Sequence, residues 1–361
     1  MRAVPVRLAI PRDASGHRWR WWLRIEKAME LVLTFVFSAD TDGRLPLRKA
    51  TDPPSGKQFH LIVVEWHEQE PVFFILSELV FPKNNVFSKK AHAKINLGLH
   101  ILRKRPDGFH ALESVFLKIG WHDDLQAVPD GVVTLSCSDP VLPTDEGNLV
   151  YRAAVRLREQ TAISTGARLH LDKHVPYEAG LGGGSSDAAT ALLLLAKMWG
   201  VEEDAHLFEI GAAIGSDVPF FLGEAAAFVQ GRGEILEYLP EYHFPFNLVV
   251  VKPPVSVSTK EAFQNITPRE EGRVNVRSVV LSNDLDRWRT ELVNDFEDSI
   301  FPNHPELKTL KDEFYESGAR YASMSGSGSA IYGVYDSKDV ARTAADRLAT
   351  ENRIVWTGGS A

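Results

Sequence analysis

The sequence predicts an α+β protein of two domains, 86–245 and 246–361, preceded by an atypical segment over residues 1–85. Three observations carry this. From Ala91 onward, short alternating runs and longer amphipathic runs interleave, separated by Gly, Pro and Asn punctuation. A second block of the same kind opens near Phe246. Residues 1–85 hold no sustained period of either kind, only apolar islands between Pro, Arg and Gly clusters.

The elements follow in order. Lys94 and Asn96 share one side of a predicted strand whose other face is apolar. Val133, Leu135 and Cys137 alternate as a half-buried strand does, which makes Cys137 a small core residue and not a nucleophile. Residues 148–158 and 204–214 read as amphipathic helices, and 167–172 alternates as a strand. The Ala/Leu-rich run 185–199 opens on Ser185, Ser186 and Asp187 and stops at Gly200, so capping chemistry predicts a buried helix starting at the serines. In the second block the pattern predicts a strand over 247–251, ended by Pro253-Pro254, then helices over 285–299 and 305–316. Strands over 321–324 and 330–335, a helix over 338–350 and a strand over 354–356 complete it.

Composition removes whole classes of function. With 40 Lys+Arg against 48 Asp+Glu the net charge is −8, so the concentrated basic surface that nucleic-acid binding needs is missing. A single cysteine allows no internal disulfide and fits a reducing, cytoplasmic setting. The apolar stretches 31–37, 72–76 and 191–196 fall far short of the roughly 18 to 20 residues of a membrane span. Residues 1–85 differ from the rest: they carry +2 and four of the eight tryptophans, Trp19, Trp21, Trp22 and Trp66. The segment reads as poorly ordered, or as translated upstream sequence with the working start near Val86, whose codon can be an initiator GTG. A plastid transit peptide is the other reading, favoured by six Arg among residues 1–25 and opposed by scarce Ser and the tryptophans.

Three motifs carry chemistry. Pro176-Tyr-Glu-Ala-Gly-Leu-Gly-Gly-Gly-Ser-Ser-Asp187 lies between the 167–172 strand and the following helix. Its glycines 180, 182, 183 and 184 let backbone N–H groups surround an anion at the positive end of a helix. No Lys follows the last glycine, so it is not a Walker A loop, and Ser185 stands where a dinucleotide fingerprint needs Gly or Ala. The second motif is Ala93-Lys-Ile-Asn-Leu-Gly-Leu-His-Ile101, and the third is the small-residue loop Ser323-Met-Ser-Gly-Ser-Gly-Ser-Ala330.

In this order and at these separations the three motifs resemble the galactokinase, homoserine kinase, mevalonate kinase and phosphomevalonate kinase superfamily, over about residues 89–356. Further stretches are similar to its 4-diphosphocytidyl-2-C-methyl-D-erythritol kinase family: Arg105-Pro-Asp-Gly-Phe-His110, Ile214-Gly-Ser-Asp-Val-Pro-Phe220 and Gly231-Arg-Gly-Glu234. Asn148-Leu-Val-Tyr-Arg-Ala153 and Asn294-Asp-Phe-Glu297 resemble it as well. The resemblance implies a ribosomal-S5-like N-terminal domain and a ferredoxin-like C-terminal domain with the active site in the cleft between them. It implies ATP-dependent phosphorylation of the 2-hydroxyl of 4-diphosphocytidyl-2-C-methyl-D-erythritol, in non-mevalonate isoprenoid biosynthesis, by a monomer or weak homodimer that meets no membrane or nucleic acid.

By the same resemblance Asp217 is the general base and Lys94 its cationic partner. Pro176, Gly180, Leu181, Gly182, Gly183, Gly184, Ser185 and Ser186 bind ATP, with Mg²⁺ reached by the Ser186 hydroxyl. Asn96, Phe109, His110, Thr259 and Phe263 bind the substrate: His110 reads the cytosine edge, and Phe109 and Phe263 supply flat faces. Ser325, Gly326, Ser327 and Gly328 close the phosphate side from the second domain. Glu178 departs from the small residue usual in this cradle, and a carboxylate there would oppose a triphosphate unless it turned outward. Homoserine or mevalonate kinase is the alternative within the superfamily, and the Phe109-His110 pair argues against it.

Overall fold

The computed structural model describes residues 61–67, 70–76, 86–201 and 205–361. The chain divides into two units, Met1–Asn85 and Val86–Ala361. In the first, two of the apolar islands pair as an antiparallel hairpin of β1 (Leu61–His67) and β2 (Glu70–Leu76), with Leu61 opposite Leu76. The Arg/Trp-rich residues 1–25, and most of the segment expected to be poorly ordered, lie outside the described residues.

The second unit holds two sheets. Its first half is built on β3 (Phe87–Lys104) and β4 (His110–Asp130), paired antiparallel along almost their whole length. Register shifts between His92 and Lys94, Leu97 and Leu99, and Ile101 and Arg103 mark bulges in β3. Against the C-terminal half of β4 lies β6 (Gly166–Asp172), with β5 (Thr134–Cys137) parallel on its far side, and against the N-terminal half lies β7 (Ala227–Gly231), with β8 (Ile235–Tyr238) beyond it. Four helices cover one face: α1 (Leu149–Gln160), α2 (Gly183–Trp199), α3 (Ala205–Ile214) and α4 (Val218–Leu222). Asn148 caps α1 by accepting from the Val150 N–H at 2.9 Å. Ten residues of α2 are buried, Ala188, Leu192 and Leu195 completely, so this Ala/Leu-rich helix forms the middle of the core.

The second half is a four-stranded antiparallel sheet in the order β10 (Tyr321–Met324), β11 (Ile331–Tyr335), β9 (Asn247–Lys252), β12 (Ile354–Gly358). Around it lie α5 (Thr259–Gln264), α6 (Val276–Leu281), α7 (Leu285–Glu291), α8 (Phe296–Ile300), α9 (Pro305–Glu316) and α10 (Lys338–Leu348). Leu307, Leu310 and Phe314 of α9 are buried, as their spacing predicts. The single helix expected over 285–299 is instead α7 and α8, because Val293–Asp295 leaves the helix to bond the backbone of Leu99 on β3. The halves are tied together there, by the Tyr332 hydroxyl donating to the Asn96 carbonyl at 2.7 Å, and by Trp121 stacked on Trp356 at 5.9 Å.

Candidate active site

The phosphate loop leaves β6 and ends on α2, and it meets β3 at Lys94, whose N–H donates to the Leu181 carbonyl at 2.9 Å. The helix starts at Gly183, two residues before the predicted start at Ser185. Gly182 is its N-cap, with φ +69° and no side-chain cap. A side chain at Gly182 would press on the Phe221 ring and the Lys94 stem, so backbone geometry replaces the serine cap. Gly183 and Gly184 therefore occupy the first turn, where N–H groups have no intrahelical partner and are available to an anion. Ser185 is half-buried, with its hydroxyl turned toward Gly215; Ser186 is buried.

Lys94 is not a solvated strand lysine. Only 4% of it is exposed, and its ammonium donates to Asn96 Oδ1 at 2.6 Å and to the Gly180 carbonyl at 2.9 Å, 4.8 Å above the Phe116 ring. Burial lowers its pKa, and the negative charge of Asp217 opposes that shift. Asp217 occupies the N-cap position of α4 without a side-chain capping bond and is half-buried; its own carboxylate accepts only from Ser216, at 3.3 Å, among the described residues. Asn96 is oriented in turn: its Nδ2 donates to Ser114 Oγ at 3.0 Å, and Ser114 donates to the Gly98 carbonyl at 2.5 Å.

The loop from the second domain arrives at the same point. Ser325 donates to the Gly180 carbonyl, and Gly326 lies beside Lys94 and Asn96. Asn294, 2% exposed, holds this loop by donating to the carbonyls of Met324 at 2.7 Å and Gly326 at 2.9 Å. Ser327 is 3.4 Å from the Thr259 hydroxyl at the start of α5. Glu178 is exposed; burial lowers the pKa of Lys252, and the charge of Glu178 only partly opposes that.

The aromatic residues are arranged differently from a simple pair of walls. Phe263 of α5 lies against His110, ring centroids 4.9 Å apart and 15° from parallel, and its edge meets Phe296. Phe109, 54% exposed, instead faces the Arg232 guanidinium at 4.9 Å. His110 and Phe263 thus come together, and Phe109 joins the Arg105, Asp107, Arg232 and Glu234 charge cluster. The His110 pKa is lowered by burial and by Lys104, so at neutral pH the ring carries one donor and one acceptor.

A buried triad beneath the phosphate loop gave no signal of its role in the sequence. Lys173, just before the loop, bonds Asp123 Oδ2 of β4 at 2.5 Å and Asp187 Oδ2 of α2 at 2.8 Å. Asp123 also accepts the N–H groups of His174 at 2.6 Å and Val175 at 2.8 Å, so the triad closes the base of the loop.

Comparison with known proteins shows the family and the fold. Residues 148–224 match the GHMP kinases N-terminal domain and residues 276–354 the GHMP kinases C-terminal domain. A 4-diphosphocytidyl-2-C-methyl-D-erythritol kinase of Salinibacter ruber is 46% identical over 267 residues, covering 72% of this chain and 94% of the relative. A crystal structure of 4-(cytidine 5'-diphospho)-2C-methyl-D-erythritol kinase superposes with a TM-score of 0.68 at 35% identity, over 76% of this chain and 98% of the other. A homoserine kinase structure from Cytophaga hutchinsonii, 17% identical with a TM-score of 0.57 over 78% of this chain and 98% of its own, shares the fold.

Proposed function

The chain belongs to the 4-diphosphocytidyl-2-C-methyl-D-erythritol kinase family of GHMP kinases, and from that premise we propose how its residues carry out the phosphorylation. The enzyme transfers the γ-phosphoryl group of ATP to the 2-hydroxyl of 4-diphosphocytidyl-2-C-methyl-D-erythritol, giving the 2-phosphate and ADP. The observation that carries the mechanism is the buried Lys94, held between Asn96 and the Gly180 carbonyl and within electrostatic reach of Asp217.

Asp217 takes the proton from the acceptor hydroxyl as the oxygen attacks phosphorus. Lys94 steadies the developing alkoxide and the γ-phosphate, at a site where burial strengthens its field. The N–H groups from Gly182 to Ser185 hold the α- and β-phosphates, and the Ser325–Gly328 segment closes over them. The described residues form no group of three or more His, Cys, Asp or Glu side chains fit to hold a metal. Mg²⁺ brought with the nucleotide would be held from the protein side by the Ser186 hydroxyl and would supply charge neutralisation. His110 donates to and accepts from the cytosine edge, Phe263 stacks, and Thr259 and Asn96 fix the rest of the substrate.

ADP-release assays with the cytidine substrate, homoserine and mevalonate side by side test the reading. Turnover of the first alone supports it; turnover of homoserine or mevalonate in its place refutes it.

A further inference from the structure

Asp217 stands at one end of α4, a helix of only five residues. A helix this short cannot satisfy its own C-terminal carbonyls. Two side chains from the six-stranded sheet do so. Tyr238 of β8 donates to the Pro219 carbonyl at 2.9 Å and lies 3.4 Å from that of Phe220. Lys118 of β4 donates its ammonium to the carbonyls of Phe221, at 3.3 Å, and Gly223. The same ammonium sits 5.7 Å from the centroid of the Phe220 ring and 6.0 Å from that of Phe221. Lys118 is largely withdrawn from water, and burial lowers its pKa to about 8 against the opposing effect of Glu224. No step of phosphoryl transfer uses it.

We infer that Lys118 is a positioning residue for Asp217: it anchors α4 to the sheet by its C-terminal carbonyls, so that the carboxylate at the other end keeps its place in the site. A cation is the suitable anchor, because it offers several donors to converging carbonyls and complements the negative end of the helix. Five residues of helix span roughly 7.5 Å, short enough for a shift at one end to reach the other undiminished. Reaction rates are steep in such displacements, about a hundredfold for a misplacement of about 1 Å. The inference rests on Asp217 being the base, and the experiment separates the two.

Lys118→Met removes the donors and keeps an apolar stem. Its kcat should fall about tenfold while KM for ATP and for the cytidine substrate stay within about twofold, and Lys118→Arg should restore most of the loss. In an Asp217→Asn background the same change should cost less than about twofold, because no carboxylate remains to be placed. Tyr238→Phe, which frees the neighbouring carbonyls, should show the same non-additivity and carries the test if Lys118→Met does not fold. An equal loss of kcat in both backgrounds, an effect confined to KM, or full kcat in Lys118→Met overturns the positioning role. A normal kcat in Asp217→Asn alone overturns the base assignment, and the inference with it.

Discussion

The Ser325 hydroxyl and the Lys94 ammonium both donate to the carbonyl of Gly180, each across 2.9 Å. One backbone oxygen thus joins the phosphate loop, the lysine strand and the loop of the second domain. Gly180 has φ +73°, and a Cβ there would collide with the Ser325 carbonyl. Gly180→Ala should therefore lose stability by about 1–3 kcal/mol from left-handed strain and overpacking. KM for ATP should rise with it. Urea denaturation and ATP titration check both, and an unchanged midpoint would mean that the loops are not held together at this point.

Substitution of Asp217 tests the proposed general base. Asp217→Asn keeps the shape of the side chain and should lower kcat and kcat/KM together by at least about a hundredfold. The loss also removes the charge that opposes the depressed Lys94 pKa. Steady-state kinetics decide it: a raised KM with kcat intact would make Asp217 a binding residue.

Specificity should reside in the stacked pair. A base stacked on an aromatic ring is worth roughly 1 to 3 kcal/mol. Phe263→Ala should weaken the cytidine substrate by about one to two powers of ten and leave KM for ATP within about threefold. His110→Ala should relax discrimination between cytosine and uracil forms of the substrate. Because His110 and Phe263 touch, the two effects should not add. A cytosine preference that survives His110→Ala would place recognition of the base elsewhere.

What could be read in advance was local. The turn chemistry of the Gly180–Gly184 run and the 3.6-residue spacing of Leu307, Leu310 and Phe314 act over a few residues and are written in adjacent letters. The burial of Lys94 was hidden, because it depends on Gly180, 86 positions away, and on the Ser325 loop, farther still. The break between α7 and α8 has the same origin: the helical pattern runs through Val293, but pairing of its backbone with Leu99 outweighs about one more helical turn. Asp123 and Lys118 look in sequence like ordinary charged residues of a half-exposed strand, Lys173 like a loop residue and Asp187 like a first-turn helix residue. Only topology, which sets β4 beside β3, β6 and β7, gives them partners.

A chain starting at Val86 should keep full kcat and melting temperature. Every residue assigned to the site lies beyond it, within a unit that has its own core. Kinetics and calorimetry of the shortened protein test this directly. Loss of either would make residues 1–85 a working part of the enzyme.

The triad beneath the phosphate loop should make stability depend on pH in an unusual direction. Two buried carboxylates share the single ammonium of Lys173, and two backbone N–H groups bond Asp123 as well. Asp187 keeps one oxygen buried without a partner, and burial raises its pKa to about 8. Its folded value thus lies above the unfolded value of about 4, so at any pH between them the folded protein binds more protons at this residue. The stability it contributes is complete below about pH 4 and is lost as pH rises through about 8. Asp187→Asn cannot ionise and imitates the protonated acid. The melting temperature of the variant relative to wild type should therefore climb between pH 6 and pH 9. Melting curves at four or five values across that range provide the measurement; parallel curves would mean that Asp187 is ionised throughout and that the triad carries a net charge.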